Sequence, residues 1–126
     1  MTDIGTALYN FWNSFGIPAY VEETVPDENP DGTPVTMPYI TYRLAKPDWT
    51  APISTYAKIW YRSTSFGGIL AMTDIIEKEI GPGAVIPFDN GAIWLYREPQ
   101  FAQFVPDDDP DVKCMYLNMS MQVVAE

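Results

Sequence analysis

The stretch that decides the fold is Val112-Lys113-Cys114-Met115-Tyr116-Leu117-Asn118-Met119-Ser120-Met121-Gln122-Val123-Val124. It alternates without interruption, with Met115, Leu117, Met119, Met121 and Val123 on one side. Cys114, Tyr116, Asn118, Ser120 and Gln122 fall on the other. A two-residue period with one apolar side is the pattern of a half-buried strand. At ~3.3 Å per residue such a strand spans roughly 43 Å if unbent. A domain of this length has a radius of gyration of only ~14 Å. Part of the strand is therefore expected to outrun its sheet, or to bend at a bulge.

Upstream, Ala92 to Arg97 is a clear strand, entered from a turn at Asp89-Asn90-Gly91. Between these two strands, Pro99 to Pro110 reads as a loop carrying Phe101, Phe104 and the run Asp107-Asp108-Asp109-Pro110-Asp111. Clustered aspartates can hold a hard cation, but such a run is more often a solvated loop. Earlier still, Tyr56 to Arg62 places Ala57, Ile59 and Tyr61 on one side, and Tyr39 to Ala45 sets Ile40, Tyr42 and Leu44 against Tyr39, Thr41 and Arg43. Both read as half-buried strands. They are separated by Lys46-Pro47-Asp48-Trp49-Thr50-Ala51-Pro52, which breaks the first of them. A short extended segment, Ala19 to Glu22, precedes a loop rich in proline between residues 26 and 38. Within it, Asp27, Asn29, Asp31 and Gly32 match the first half of a calcium-loop pattern. The twelfth position is Pro38, where a bidentate Glu is needed, so a solvated turn is the better reading.

Two segments carry helical periodicity. Ile4, Ala7, Leu8, Phe11, Trp12 and Phe15 form an apolar stripe, with Thr2 or Asp3 as cap and Gly16 then Pro18 as stop. Ser63 or Ser65 caps a second helix, whose stripe is Phe66, Ile69, Met72 or Thr73, Ile76 and Ile80. Its outer face offers an Asp74–Lys78 pair at i,i+4, and Gly81-Pro82 ends it. The order is α-β-β-β-α-β-β. That predicts a single α+β domain over residues 1–126: a mostly antiparallel sheet of about five strands, with two helices packed on one face. Trp60 and Trp94 are expected to be structural, each in a strand paired on both sides.

Composition narrows the chemistry. The chain has 126 residues, 47% hydrophobic and 14% aromatic, so it can bury a true core. Seven basic residues against 17 acidic ones give a net charge of −10, and there is no histidine. Specific nucleic-acid binding is unexpected, because phosphate backbones are bound by clustered Lys and Arg. Imidazole chemistry is absent by composition. One cysteine, Cys114, permits neither an internal disulfide nor a zinc site of the Cys/His type. No secretory signal is evident. Ile4 to Val21 is long enough for a membrane span, but Asn10, Asn13, Ser14, Gly16 and Pro18 interrupt it. The acidic balance would also repel anionic membranes.

No catalytic motif is found. Gly67-Gly68 falls inside the second helix, Gly81-Pro82-Gly83 lacks the lysine of a phosphate loop, and Glu77 and Glu79 point apart on their helix. Cys114 has no histidine to activate it and reads as a packing residue. The expectation is a protein without enzymatic activity, metal or cofactor, making protein contacts through Trp49, Phe101, Phe104, Asp107, Asp108 and Asp109.

Several aromatic strand motifs carry a resemblance. Pro38-Tyr39-Ile40-Thr41-Tyr42 is followed by Ile59-Trp60-Tyr61-Arg62-Ser63-Thr64-Ser65-Phe66 leading into a helix. Then come Gly91-Ala92-Ile93-Trp94-Leu95-Tyr96-Arg97, Phe101-Ala102-Gln103, an acidic turn and Leu117-Asn118-Met119-Ser120. In order and spacing, from about residue 4 to 124, these resemble the tail terminators (tail-completion or tail-to-head joining proteins) of long-tailed phages; the proline-rich loop at 26–38 has no match there. The resemblance implies a virion structural protein that forms a ring, commonly a hexamer, on the tail tube. Such a ring stops tube polymerisation and joins the tail to the head. Its implied partners are copies of itself, the major tail tube protein and head–tail connector proteins. Its implied place is the virion tail, and the host cytoplasm during assembly. An acidic ring would let DNA pass without holding it. The competing readings are another neck or head-completion component, an acidic DNA mimic, and a small enzyme.

Overall fold

The last strand is paired along its whole length, so it does not outrun its sheet. The structure, a computed structural model, describes residues 2–47, 49 and 51–124. In chain order the elements are α1 (Ile4–Trp12), continued by a 3-10 turn (Asn13–Phe15), then β1 (Ala19–Val21), β2 (Tyr39–Tyr42) and β3 (Ile53–Arg62). Next come α2 (Gly67–Ile80), β4 (Ala84–Phe88), β5 (Gly91–Val105) and β6 (Val112–Val124). The chain is thus α+β, with one six-stranded sheet in the order β1-β2-β3-β6-β5-β4. β1 runs parallel to β2, and every other neighbouring pair is antiparallel.

Central β6 meets β3 from Val112↔Arg62 to Met121↔Ile53. On its other side it meets β5 from Cys114↔Val105 to Val124↔Ala92. The irregularity that accommodates this length lies in β5, where the register shifts between Arg97 and Ala102. Extra residues in one strand bend it locally while its partner stays straight.

Three expectations are corrected here. The sheet has six strands rather than about five, because Ala-Val-Ile-Pro-Phe at 84–88 forms β4. Its Pro87 lacks an amide donor, which an edge strand tolerates. Residues 99–105, expected in a loop, continue β5 after the bulge, and Phe101 is consequently buried at 9% exposure. Finally, β2 ends at Tyr42, leaving Leu44 exposed.

The inward register of the sheet holds Ile40, Tyr42, Ala57, Ile59, Ile93, Leu95, Leu117, Met119 and Met121. Ala7, Leu8 and Trp12 of α1 and Ile69, Met72, Ile76 and Ile80 of α2 join the same apolar cluster. Both helices therefore cover one face of the sheet, as their stripes predict. The N-terminus of α1 is capped by Asp3, whose Oδ1 accepts the Thr6 amide at 2.7 Å. That bond holds the Asp3 carboxyl below its usual range. At the start of α2, Ser65 Oγ accepts the Gly67 amide at 3.1 Å. A Cβ on Gly68 would lie 3.0 Å from the Tyr61 ring, so glycine lets this helix approach β3 closely. The ion pair of α2 is Glu77 with Arg97 at 2.8 Å, not the Asp74–Lys78 pair expected from i,i+4 spacing. Arg97 reaches it from the inward register of β5 and also donates to the Gly81 carbonyl at 2.9 Å.

Candidate functional site: the uncovered aromatic face of the sheet

Pairing register fixes which side chains point away from the helices. On that outer face stand Tyr20 of β1, Tyr39 and Thr41 of β2, and Tyr56, Lys58, Trp60 and Arg62 of β3. Cys114, Tyr116, Asn118, Ser120 and Gln122 of β6 continue it, followed by Trp94 and Tyr96 of β5 and Val85 of β4. Among the register-paired outward strand positions Lys58 and Arg62 are charged, and Glu98 follows Tyr96 by two residues in β5, in a chain of net charge −10. Seven rings lie on this face, and no helix covers it. An antiparallel sheet usually leaves its open face polar. Depletion of acidic residues with enrichment of Tyr, Trp and Arg is instead the composition of a protein interface.

The rings hold one another in place. Tyr56 and Tyr116 stack with centroids 5.1 Å apart, Trp94 and Tyr96 meet at 4.5 Å, and Tyr20 and Tyr39 cross edge to face at 5.9 Å. Trp60 donates its indole N–H to Thr41 Oγ1 at 2.9 Å. The Tyr56 hydroxyl donates to Glu22 Oε1 at 2.5 Å, a bond that raises its pKa, with burial adding to the effect. The Trp94 indole lies against Gly83, where an added Cβ would come within 2.1 Å of Nε1. Trp60 and Trp94 are therefore not core residues, although their strands pair on both sides. Trp60 is half-buried, and Trp94 is 38% exposed.

The contact residues expected from sequence are not assembled into one site. Trp49 is 54% exposed and lies beside Gly91 at the Val124 end of β6. The acidic turn adjoins Val112 at the opposite end. Ten residues of strand between Val112 and Gln122 correspond to about 33 Å. Phe101 packs in the core cluster and is largely buried. Phe104 is exposed, but on the helix side, edge to face with Phe66 at 4.8 Å. Asp107 and Asp109 close successive turns: Asp107 Oδ1 accepts the Asp109 amide and Asp109 Oδ1 accepts the Asp111 amide, each at 2.9 Å. Asp109 Oδ2 also accepts from Arg62 at 2.9 Å, which holds its carboxyl below the usual range. Asp108 is exposed. Among the described residues no group of three or more His, Cys, Asp or Glu is arranged to hold a metal ion. In the proline-rich loop Asp31 Oδ1 accepts from both the amide and the hydroxyl of Thr33, as a turn requires.

The outer face was visible in the sequence as the second register of each alternating strand. With both helices packed on the other side, the aromatic residues of this register lie on the face that no helix covers. Cys114 shares that register but is buried beneath the larger rings, and burial pushes its thiol up to about 11. At pH 8 its thiolate fraction is roughly one part in a thousand. Native protein is expected to leave a thiol reagent such as dithiobis(nitrobenzoate) unreacted over an hour, and denatured protein to react at once. Rapid reaction of the folded protein would contradict this burial.

No family model matches the chain, and a search of characterised protein sequences finds no match. Among the described residues no helix is long and apolar enough to cross a membrane.

Proposed function

We propose that this chain is a non-enzymatic structural protein of a long-tailed phage, a tail terminator. It assembles as a ring on the tail tube, stops tube polymerisation and presents the surface to which head–tail connector proteins attach. The observation that carries the reading is the aromatic face that no helix covers, which suits protein contact. The order of aromatic strand motifs supports it, since it resembles that family. The sheet edges favour face contacts over strand addition. β1 has three residues and β4 carries Pro87, and short or proline-bearing edges resist pairing.

Electrostatics sets the conditions for assembly. Six copies carry 6 × (−10) = −60 before screening. Repulsion favours monomers at low salt and eases at physiological ionic strength, where the Debye length is ~8 Å. Self-association should therefore strengthen with salt, opposite to a basic DNA binder. Light scattering across salt, with and without purified tail tubes, tests this. The expected result is salt-promoted rings or capping of tubes. A protein that stays monomeric throughout and never binds tubes would overturn the proposal.

A further inference from the structure

The two end strands resist an added strand, but the sheet has a third edge inside β5. β5 runs for 15 residues, and β4 beside it for only 5. Their pairing stops at Ala84↔Leu95, because the chain enters β4 from α2 through the turn at residues 81–83. The Gly81 carbonyl accepts from Arg97 Nε at 2.9 Å, which holds that turn against β5. Past the bulge β5 resumes pairing with β6 at Ala102↔Leu117 and keeps it to Val105↔Cys114. On its other side, over residues 101–105, no strand lies beside it. Beyond the ladder with β6, the hydrogen bond found here among the described residues is a long one within the strand, from Gln100 Nε2 to the Ala102 carbonyl at 3.4 Å. In an antiparallel ladder alternate residues turn both main-chain groups away from the partner, so this stretch of roughly 17 Å holds a row of open donors and acceptors. Its flanks are apolar and exposed. Phe104 crosses Phe66 on the helix side, and Val105 lies on the other face. Edges are commonly blunted by lysine or proline, and residues 101–105 contain neither.

We propose that this slot takes an extended segment of a partner protein as an added strand, antiparallel to β5 and in line with β4. Apolar side chains at alternate positions of the segment lie against Phe104 and Phe66, and a basic residue leads it, beside Asp107 and Asp108. In such additions main-chain hydrogen bonds supply affinity, and alternate side chains supply specificity. Charge selects the occupant. The slot ends at the exposed Asp107 and Asp108, and two copies of a chain of net charge −10 repel, whereas a basic segment complements both the turn and the whole chain. The slot uses a strand edge and not the rings of Tyr56, Trp94 or Tyr116, so it and the contact role of the aromatic face can each fail alone.

The test is an NMR titration of the isotope-labelled chain with the capped peptide Arg-Thr-Val-Thr-Val-Thr, read at the amides of residues 102–105. Two control peptides carry N-methyl groups on alternate residues, one set along each edge of the extended peptide. Strand addition uses one edge, so one methylated peptide should bind like the parent and the other at least about tenfold more weakly. Replacing the leading Arg of the peptide by Glu should weaken binding about threefold or more at low salt. In the chain, Phe104→Lys sets a charge in the slot on a side chain that is already exposed, and should weaken the parent peptide about fivefold. Unchanged amide spectra elsewhere verify that the variant is folded. No saturable shift, equal binding of the two methylated peptides, or indifference to Phe104→Lys would overturn the slot. Equal binding of the Glu peptide would overturn the basic partner. Shifts of the same amides with protein concentration alone would give the edge to a second copy, which overturns it as well.

Discussion

Trp12→Ala is expected to destabilise the protein by about 3–5 kcal/mol, the range for truncating a large buried aromatic. Trp12 is 3% exposed. Its ring meets Phe11 edge to face at 5.0 Å, lies 6.0 Å from Phe15 and stacks on Tyr42 at 6.1 Å. Those contacts join α1 to β2, near the sheet edge formed by the three residues of β1. Neighbouring rings are rigid, so they cannot collapse into the space left, and the cavity term adds to the lost transfer energy. Domains of this size are stable by only about 5–15 kcal/mol, so the variant should lose much of its margin. Urea unfolding followed by far-UV circular dichroism measures it, as a lowered midpoint with little change in slope. Trp12→Phe keeps most of the volume and should cost less than half as much. A loss below ~1 kcal/mol for Trp12→Ala would mean that α1 is not docked as described.

How far the fold could be read in advance depends on how local each signal is. The stripes of α1 and α2 and the alternation of β6 are local, and each appears with the expected side buried except at Phe66, which precedes α2 and is 47% exposed. Element β4 was missed because a five-residue apolar run containing Pro87 has no period of its own. It becomes a strand by pairing with Gly91–Leu95 across the turn. Phe101 was misplaced for a related reason. Pro99 reads as a loop residue, yet a bulge lets β5 resume pairing at Ala102↔Leu117 and turns Phe101 inward. Leu44 failed in the opposite direction, since alternation continued in the sequence after β2 had left its pairing with β3 at Tyr42↔Ala57. The candidate site was legible in part. Tyr39, Tyr56, Trp60, Trp94, Tyr96 and Tyr116 all occupy the register opposite the core positions. Sequence could not say that the loops would leave these rings uncovered.

Trp94→Ala combined with Tyr96→Ala is expected to weaken attachment to tail tubes about 30-fold while leaving the chain folded. The two rings meet at 4.5 Å, and Val85, cross-strand from Trp94, is 66% exposed, so together they form a raised apolar ridge beside the β4 edge. Tryptophan and tyrosine are the residues whose truncation costs interfaces most, typically about 2 kcal/mol or more at a hot spot. That energy corresponds to roughly 30-fold in affinity. The same truncation should cost folding stability only about 1–2 kcal/mol, because the rings are partly in water already and leave no sealed cavity. The contrast between these two losses separates contact from structure. Measurement is by sedimentation with purified tubes, alongside urea unfolding of the same protein and Trp49→Ala as a comparison in the neighbouring loop, beside Gly91 at the same end of β6. Trp49→Ala should bind within about threefold of the unaltered chain, because its ring lies outside the sheet face. If the double variant binds tubes normally while remaining stable, the aromatic face is not the contact surface. If it instead unfolds like Trp12→Ala, the rings are structural, and their exposure serves packing among themselves.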